Sequence, residues 1–146
     1  PTEIIIMTQK QTQKNILIIH GPNMNLLGHR TIEASPNITL DKLNRNLRRI
    51  AGKLELKLKI FQTQDEARAV TIVQRQRNKI CGLLLFPGPW QKSGYTLQDT
   101  LKLLSIPFVT ISLGEKAEVL LGLKNIEEPD LFQASEMALI HLSDSI

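Results

Sequence analysis

Ile16-Leu17-Ile18-Ile19-His20-Gly21-Pro22-Asn23-Met24-Asn25-Leu26-Leu27-Gly28-His29-Arg30 is the stretch from which the fold is read. Four consecutive apolar residues leave no polar face, so Ile16 to Ile19 fits a strand covered on both sides, as in a parallel sheet wrapped by helices. Gly21-Pro22 then ends the strand with turn chemistry. Similar runs recur downstream. Leu54 to Phe61 alternates apolar residues with Glu55, Lys57 and Lys59, the pattern of a half-exposed edge strand whose charges discourage pairing with another chain. Ile80 to Phe86, Ile106 to Leu113 and Val119 to Leu123 complete the predicted strands.

Between these runs the apolar period becomes helical. Leu40, Leu43, Leu47 and Ile50 follow Thr39, a favoured N-cap, and precede Gly52, a natural stop. Ala67, Val70 and Val73 mark a second helix, and Leu97, Leu101 and Leu104 a third that ends before Pro107. A fourth begins at Pro129, a favoured first helical position, and carries Leu131, Ala134, Ser135, Ala138 and Leu142. Strands alternating with helices through right-handed crossovers describe a flavodoxin-like doubly wound α/β fold with five parallel strands in the order 2-1-3-4-5. Ligands of such sheets sit beyond the carboxyl ends of the strands, which points to residues 20–30, 87–94 and 112–117.

Composition narrows the function. With 146 residues, 42% hydrophobic and 22% charged, the chain suits one domain over residues 16–146 behind a flexible polar tail at 1–15. The tail lacks the basic start, apolar middle and small-residue cleavage site of a secretory signal, and Met7 is an alternative initiator. No apolar run reaches a membrane-spanning length. Cys81 is the single cysteine, so no internal disulfide forms and a cytoplasmic location is expected. The net charge of +4 is spread rather than blocked, and without aromatic interleaving or zinc spacing it suits a small anionic ligand or protein partner better than nucleic acid. Cys81 reads as a small core residue of a buried strand and His20 as structural. No phosphate loop, metal cluster or Ser-His-Asp set is present, so neither metal nor cofactor is expected.

The run Gly21-Pro22-Asn23-Met24-Asn25-Leu26-Leu27-Gly28-His29-Arg30 resembles the opening signature of type II 3-dehydroquinate dehydratases. Thr39-Leu40-Asp41-Lys42-Leu43, Phe61-Gln62-Thr63 with Glu66, Pro87-Gly88, Leu97 with Asp99, and Ser105-Ile106-Pro107 extend the resemblance in order along most of the chain. It implies a flavodoxin-like fold, no cofactor, and a homo-oligomer of trimers assembling into dodecamers. It also implies that Asn23 and Arg30 belong to a ligand site and that Asp99 reaches toward a neighbouring subunit's site.

The residues implied to carry the dehydration differ. A tyrosine base is implied at Ser35, and a serine hydroxyl is a poor base for a proton beside a carbonyl. Glu33 is the alternative carboxylate on that loop. An amide stabilising the enolate is implied at Phe86, whose ring offers no hydrogen bond where negative charge develops. A histidine is implied at Lys92, which either attracts an anion or is a solvated surface residue; with its pKa lowered in an apolar setting beside Phe86 and Trp90, its neutral amine is a second alternative base. Trp90 caps a pocket or anchors an interface. The implied acid, another histidine, stands at Ser112, and the arginine-bearing segment that follows it is missing before Glu118-Val119-Leu120-Leu121-Gly122, which matches the fifth strand. Coordinated loss of base, amide and acid points to a non-catalytic relative that binds or scaffolds, against the alternative of a weak or altered lyase.

Overall fold

The computed structural model describes residues 14–29 and 37–146. β1 (Lys14–His20) lies inside a five-stranded sheet, flanked by β2 (Leu56–Gln62) at one edge and by β3 (Gly82–Phe86), β4 (Phe108–Ile111) and β5 (Lys124–Ile126) on the other side. Every pairing is parallel, with Ile18 opposite both Ile60 and Leu84. The expected order 2-1-3-4-5 is thus observed.

The continuous apolar run has a direct physical cause. Successive strand side chains point to opposite faces, and here both faces are covered. Ile16 and Ile18 pack with Leu84, Phe86, Val109 and Ile111 beneath α1 (Leu40–Lys53) and α5 (Leu131–Ser145). Leu17 and Ile19 pack with Leu83, Leu85 and Phe108 beneath α2 (Glu66–Gln76) and α4 (Tyr95–Leu103). Ile16 to Ile19 are each fully buried, worth about 1.5–3 kcal/mol apiece in transfer free energy. Helix starts are satisfied by short side chains: Thr39 accepts from Lys42 N at 3.3 Å, Asp65 from Ala67 N at 2.9 Å, and Asp130 from Phe132 N at 2.9 Å.

Several expectations are corrected. The fifth strand is Lys124–Ile126 and not Val119 to Leu123. Leu120 is instead drawn into the core facing α2 and α4, while Leu121 and Leu123 stay exposed. The chain meets β4 only after Gly122, where a Cβ would stand 2.2 Å from the Phe108 carbonyl oxygen, so only glycine permits the approach. The last helix starts at Leu131, after Pro129, because Asp130 is the residue whose carboxylate takes the Phe132 and Gln133 N–H groups. Gly52 lies inside α1, and the reversal falls at Glu55, with φ of 57°. Cys81 is exposed just ahead of β3 rather than buried within it. Lys14 and Asn15 belong to β1 and not to the tail, whose remaining residues lie outside the described ones. A short helix, α3 (Trp90–Ser93), precedes α4 and was not anticipated by periodicity.

Candidate functional site

The carboxyl ends of β1, β2, β3 and β4 carry the residues singled out by sequence, and they divide into two groups. On the β1–β2 side, Gly21 donates its N–H to the Phe86 carbonyl at 2.9 Å, and a Cβ at Gly21 would lie 2.6 Å from that oxygen. Asn23 then adopts the left-handed region (φ 67°), which an Asx side chain tolerates. Its N–H donates to Gln64 Oε1 at 2.7 Å, and its Oδ1 accepts from Gln64 Nε2 at 3.4 Å. Gln62 Nε2 adds bonds to the Gly21 carbonyl (3.2 Å) and Gln64 Oε1 (3.1 Å). Asn23 is thus built into an exposed amide network that ties the β1 turn to the end of β2. A short 3-10 turn (Met24–His29) follows and anchors itself through buried Met24 and Leu27. Arg30, Glu33 and Ser35 lie outside the described residues.

On the β3–β4 side the same end of the sheet is closed by packing. Phe86 is 1% exposed and stacks on His20, ring centroids 4.7 Å apart. His20 is itself fully buried, with Nε2 2.8 Å from Asn44 Oδ1. An amide oxygen only accepts, so Nε2 carries the proton and Nδ1 keeps a lone pair that meets no partner among the described residues. Burial holds the imidazole down at about 4, against the smaller opposing effect of the Asn44 bond. At neutral pH this ring is neutral. Ser112 is buried, and its hydroxyl donates to Asn125 Oδ1 at 3.0 Å, a group that also receives the Thr110 hydroxyl at 2.6 Å.

Two sequence expectations fail here. Trp90 is only 4% exposed and packs in the core with Leu97 and Leu120, so its ring is buried within the chain and does not stand out as an interface anchor. Lys92 is exposed, whereas Phe86 and Trp90 turn inward, so it does not share the apolar setting expected of it. It lines an open cavity of about 530 Å³ together with Gly88, Gln91, Glu115, Lys116 and Glu118. Asp99 lies on the exposed side of α4.

Gln91 is the residue that sequence reading missed. It is fully buried, and its Oε1 accepts from Glu118 N (3.0 Å) and Leu120 N (2.9 Å) while its Nε2 donates to the Leu120 carbonyl (3.1 Å). Its own carbonyl takes Val119 N at 3.0 Å. One glutamine thereby satisfies the backbone of the short connection that follows β4. Nothing local in Trp90-Gln91-Lys92 marks it, because its partners are distant in sequence. Glu66 plays a related part, its carboxylate accepting from Leu97 N at 3.1 Å near the start of α4, which has no capping side chain of its own. Among the described residues no group of His, Cys, Asp and Glu is placed to hold a metal ion, and no helix is long and apolar enough to cross a membrane.

Sheet order, layering and loop placement define a flavodoxin-like α/β protein whose candidate site lies at the carboxyl ends of the strands. The family model described as Dehydroquinase class II matches residues 14–118, and the chain belongs to that family. A 3-dehydroquinate dehydratase of Endomicrobium trichonymphae is 32% identical over 100 residues, 68% of this chain and 70% of the relative. One of Geotalea daltonii is 33% identical over 98 residues, 67% of this chain and 68% of the relative. Among solved structures, a type II dehydroquinase from Propionibacterium acnes superposes with a TM-score of 0.78 at 22% identity, covering 91% of this chain and 98% of that one. A 3-dehydroquinate dehydratase-like protein from Bifidobacterium longum reaches a TM-score of 0.71 at 16% identity, covering 90% and 97%. These two likenesses concern the fold.

Proposed function

We propose that this chain is a non-catalytic member of the dehydroquinase family, a cytoplasmic homo-oligomer that works by binding or scaffolding. One observation carries the reading: Phe86, at the position where the resemblance implies an enolate-stabilising amide, is a buried ring stacked on a neutral histidine. A carbanion or enolate forming there meets an apolar surface, and losing a single preorganised donor at such a position costs about 2.7–4 kcal/mol of barrier. Ser112, implied to stand where the acid belongs, has its hydroxyl engaged by Asn125. Burial keeps His20 neutral near neutral pH, which argues against it as the acid. Asn23 and, by resemblance, Arg30 remain as ligand-binding groups, and Lys92 adds a cation at the open cavity that it lines.

The competing reading is a weak 3-dehydroquinate dehydratase using Glu33 or Lys92, and what favours it is that the relatives described above carry that name. The test is ultraviolet detection of dehydroshikimate formed from 3-dehydroquinate at high protein concentration, beside an authentic type II enzyme. No rate above background is expected. A rate within about a hundredfold of the authentic enzyme, about 2.7 kcal/mol of barrier, would overturn the proposal. In that event Lys92→Met distinguishes the replacement groups, because it abolishes turnover only where Lys92 takes part.

A further inference from the structure

The amino end of the sheet, opposite the loops described above, contains a second cavity of about 450 Å³. It lies among the β2 edge, the last turn of α2 and the connection leading into β3. Lys57, Lys59 and Lys79 line it, together with the amides of Asn15, Gln76 and Asn78. Among the described residues that line it there is no carboxylate and no aromatic ring.

Among the described residues the positive charge there has no counterweight in the cavity lining. Residues 67–98 contain no Asp or Glu, and Asp65 and Glu66 stand at the far end of α2, about 15 Å along its axis from Gln76. Glu55 precedes β2 and does not line the cavity. Lys59 Nζ donates to Gln76 Oε1 at 3.3 Å, while the ammonium groups of Lys57 and Lys79 engage no partner among the described residues. The C-terminal end of α2 contributes only about half a negative charge, against three full positive ones. The walls are held in place by hydrogen bonds to backbone carbonyls, from the Asn15 side-chain Nδ2 to Lys79 (3.0 Å), from Cys81 N to Asn15 (2.8 Å) and from Lys79 N to Gln76 (2.8 Å). Three lysines therefore line one space whose backbone walls are fixed.

We propose that this cavity binds a small phosphate-bearing polyanion, with the three ammonium groups on the phosphoryl oxygens and the amides adding neutral donors. Lysines supply compact point charges suited to phosphate, and a multivalent anion relieves their mutual repulsion as well as pairing with each. The absence of an aromatic ring argues against single-stranded nucleic acid, which such proteins hold by stacking. The volume suits a compact ligand.

Cys81 lines the same cavity, is exposed, and is the only cysteine in the chain, so its thiol reports occupancy. The probe is inorganic pyrophosphate, the control sodium chloride at matched ionic strength, and the readout alkylation of Cys81 by neutral iodoacetamide. Pyrophosphate at several times its dissociation constant is expected to slow alkylation about fivefold. Lys57→Gln with Lys79→Gln, both at exposed positions, should lose this protection with an unchanged unfolding midpoint, and Lys79→Gln alone should weaken it. Lys92→Gln, at the opposite end of the sheet, should keep it in full. Equal rates in pyrophosphate and chloride would overturn the proposal, as would protection that survives the double substitution. Stronger protection by a short single-stranded DNA than by pyrophosphate would replace the small ligand with nucleic acid.

Discussion

The two halves of the sheet's carboxyl end have met different demands. On the β1–β2 side the signature residues also build the chain path: Gly21 admits the Phe86 carbonyl, Asn23 occupies a left-handed turn, and Gln62 and Gln64 cross-link it. On the β3–β4 side, the positions at which the resemblance implies only chemistry hold Phe86, Lys92 and Ser112, and the neighbouring groups serve packing and backbone satisfaction. The difference teaches that polar side chains at one end of a sheet can be fixed by the chain path on one side, while on the other side buried groups serve packing and backbone satisfaction. The His20–Phe86 stack is the seam between the halves.

The largest expected effect sharpens this contrast in the second half. Gln91→Leu keeps most of the volume but leaves the Glu118 and Leu120 N–H groups and the Leu120 carbonyl unpaired, and should cost about 3 kcal/mol in urea unfolding. A loss under about 1 kcal/mol would mean that water replaces the glutamine and that the connection after β4 is not held by it.

At the seam, His20 makes stability depend on acid. Its folded value, about 4, lies below the ordinary 6.5, so the unfolded chain binds the proton more readily and stability falls as pH drops through that window. Between pH 7 and pH 5 the loss assigned to His20 is about 2 kcal/mol, and most of it should vanish in His20→Phe, read from denaturation midpoints at the two pH values. An unchanged pH dependence in the variant would show that the imidazole is not held neutral by burial.

The smallest effect tests the first half. Glu66→Ala removes the acceptor of Leu97 N and should lower stability by about 1 kcal/mol, measured by thermal or urea unfolding. A much greater loss would place more of the fold's stability on this half than the comparison allows.

Much of this was legible along the chain. Ile16 to Ile19 announced a two-sided sheet, Thr39 announced a helix start, and Lys57 and Lys59 announced the β2 edge, because burial and capping act between near neighbours and leave a period behind. The positions Phe86, Lys92 and Ser112 were singled out by their place in an ordered set of motifs, and their roles rest on the resemblance alone. Val119 to Leu123 misled because its apolar character serves Leu120 alone, and Cys81 and Trp90 misled because a residue's identity does not say which side of a strand's start, or of a short helix, it will face.

Order of strands, helix spacing and family membership were therefore determined by the sequence itself, since each rests on local pattern. The inward turn of Trp90, the bond from Glu66 to α4, the neutral state of His20 and the grip of Gln91 on residues 118–120 were decided only by the tertiary structure. Each depends on groups that are far apart in the chain meeting in a place that water has left, and the free energy of a polar group there is set by its neighbours in space rather than by those in sequence.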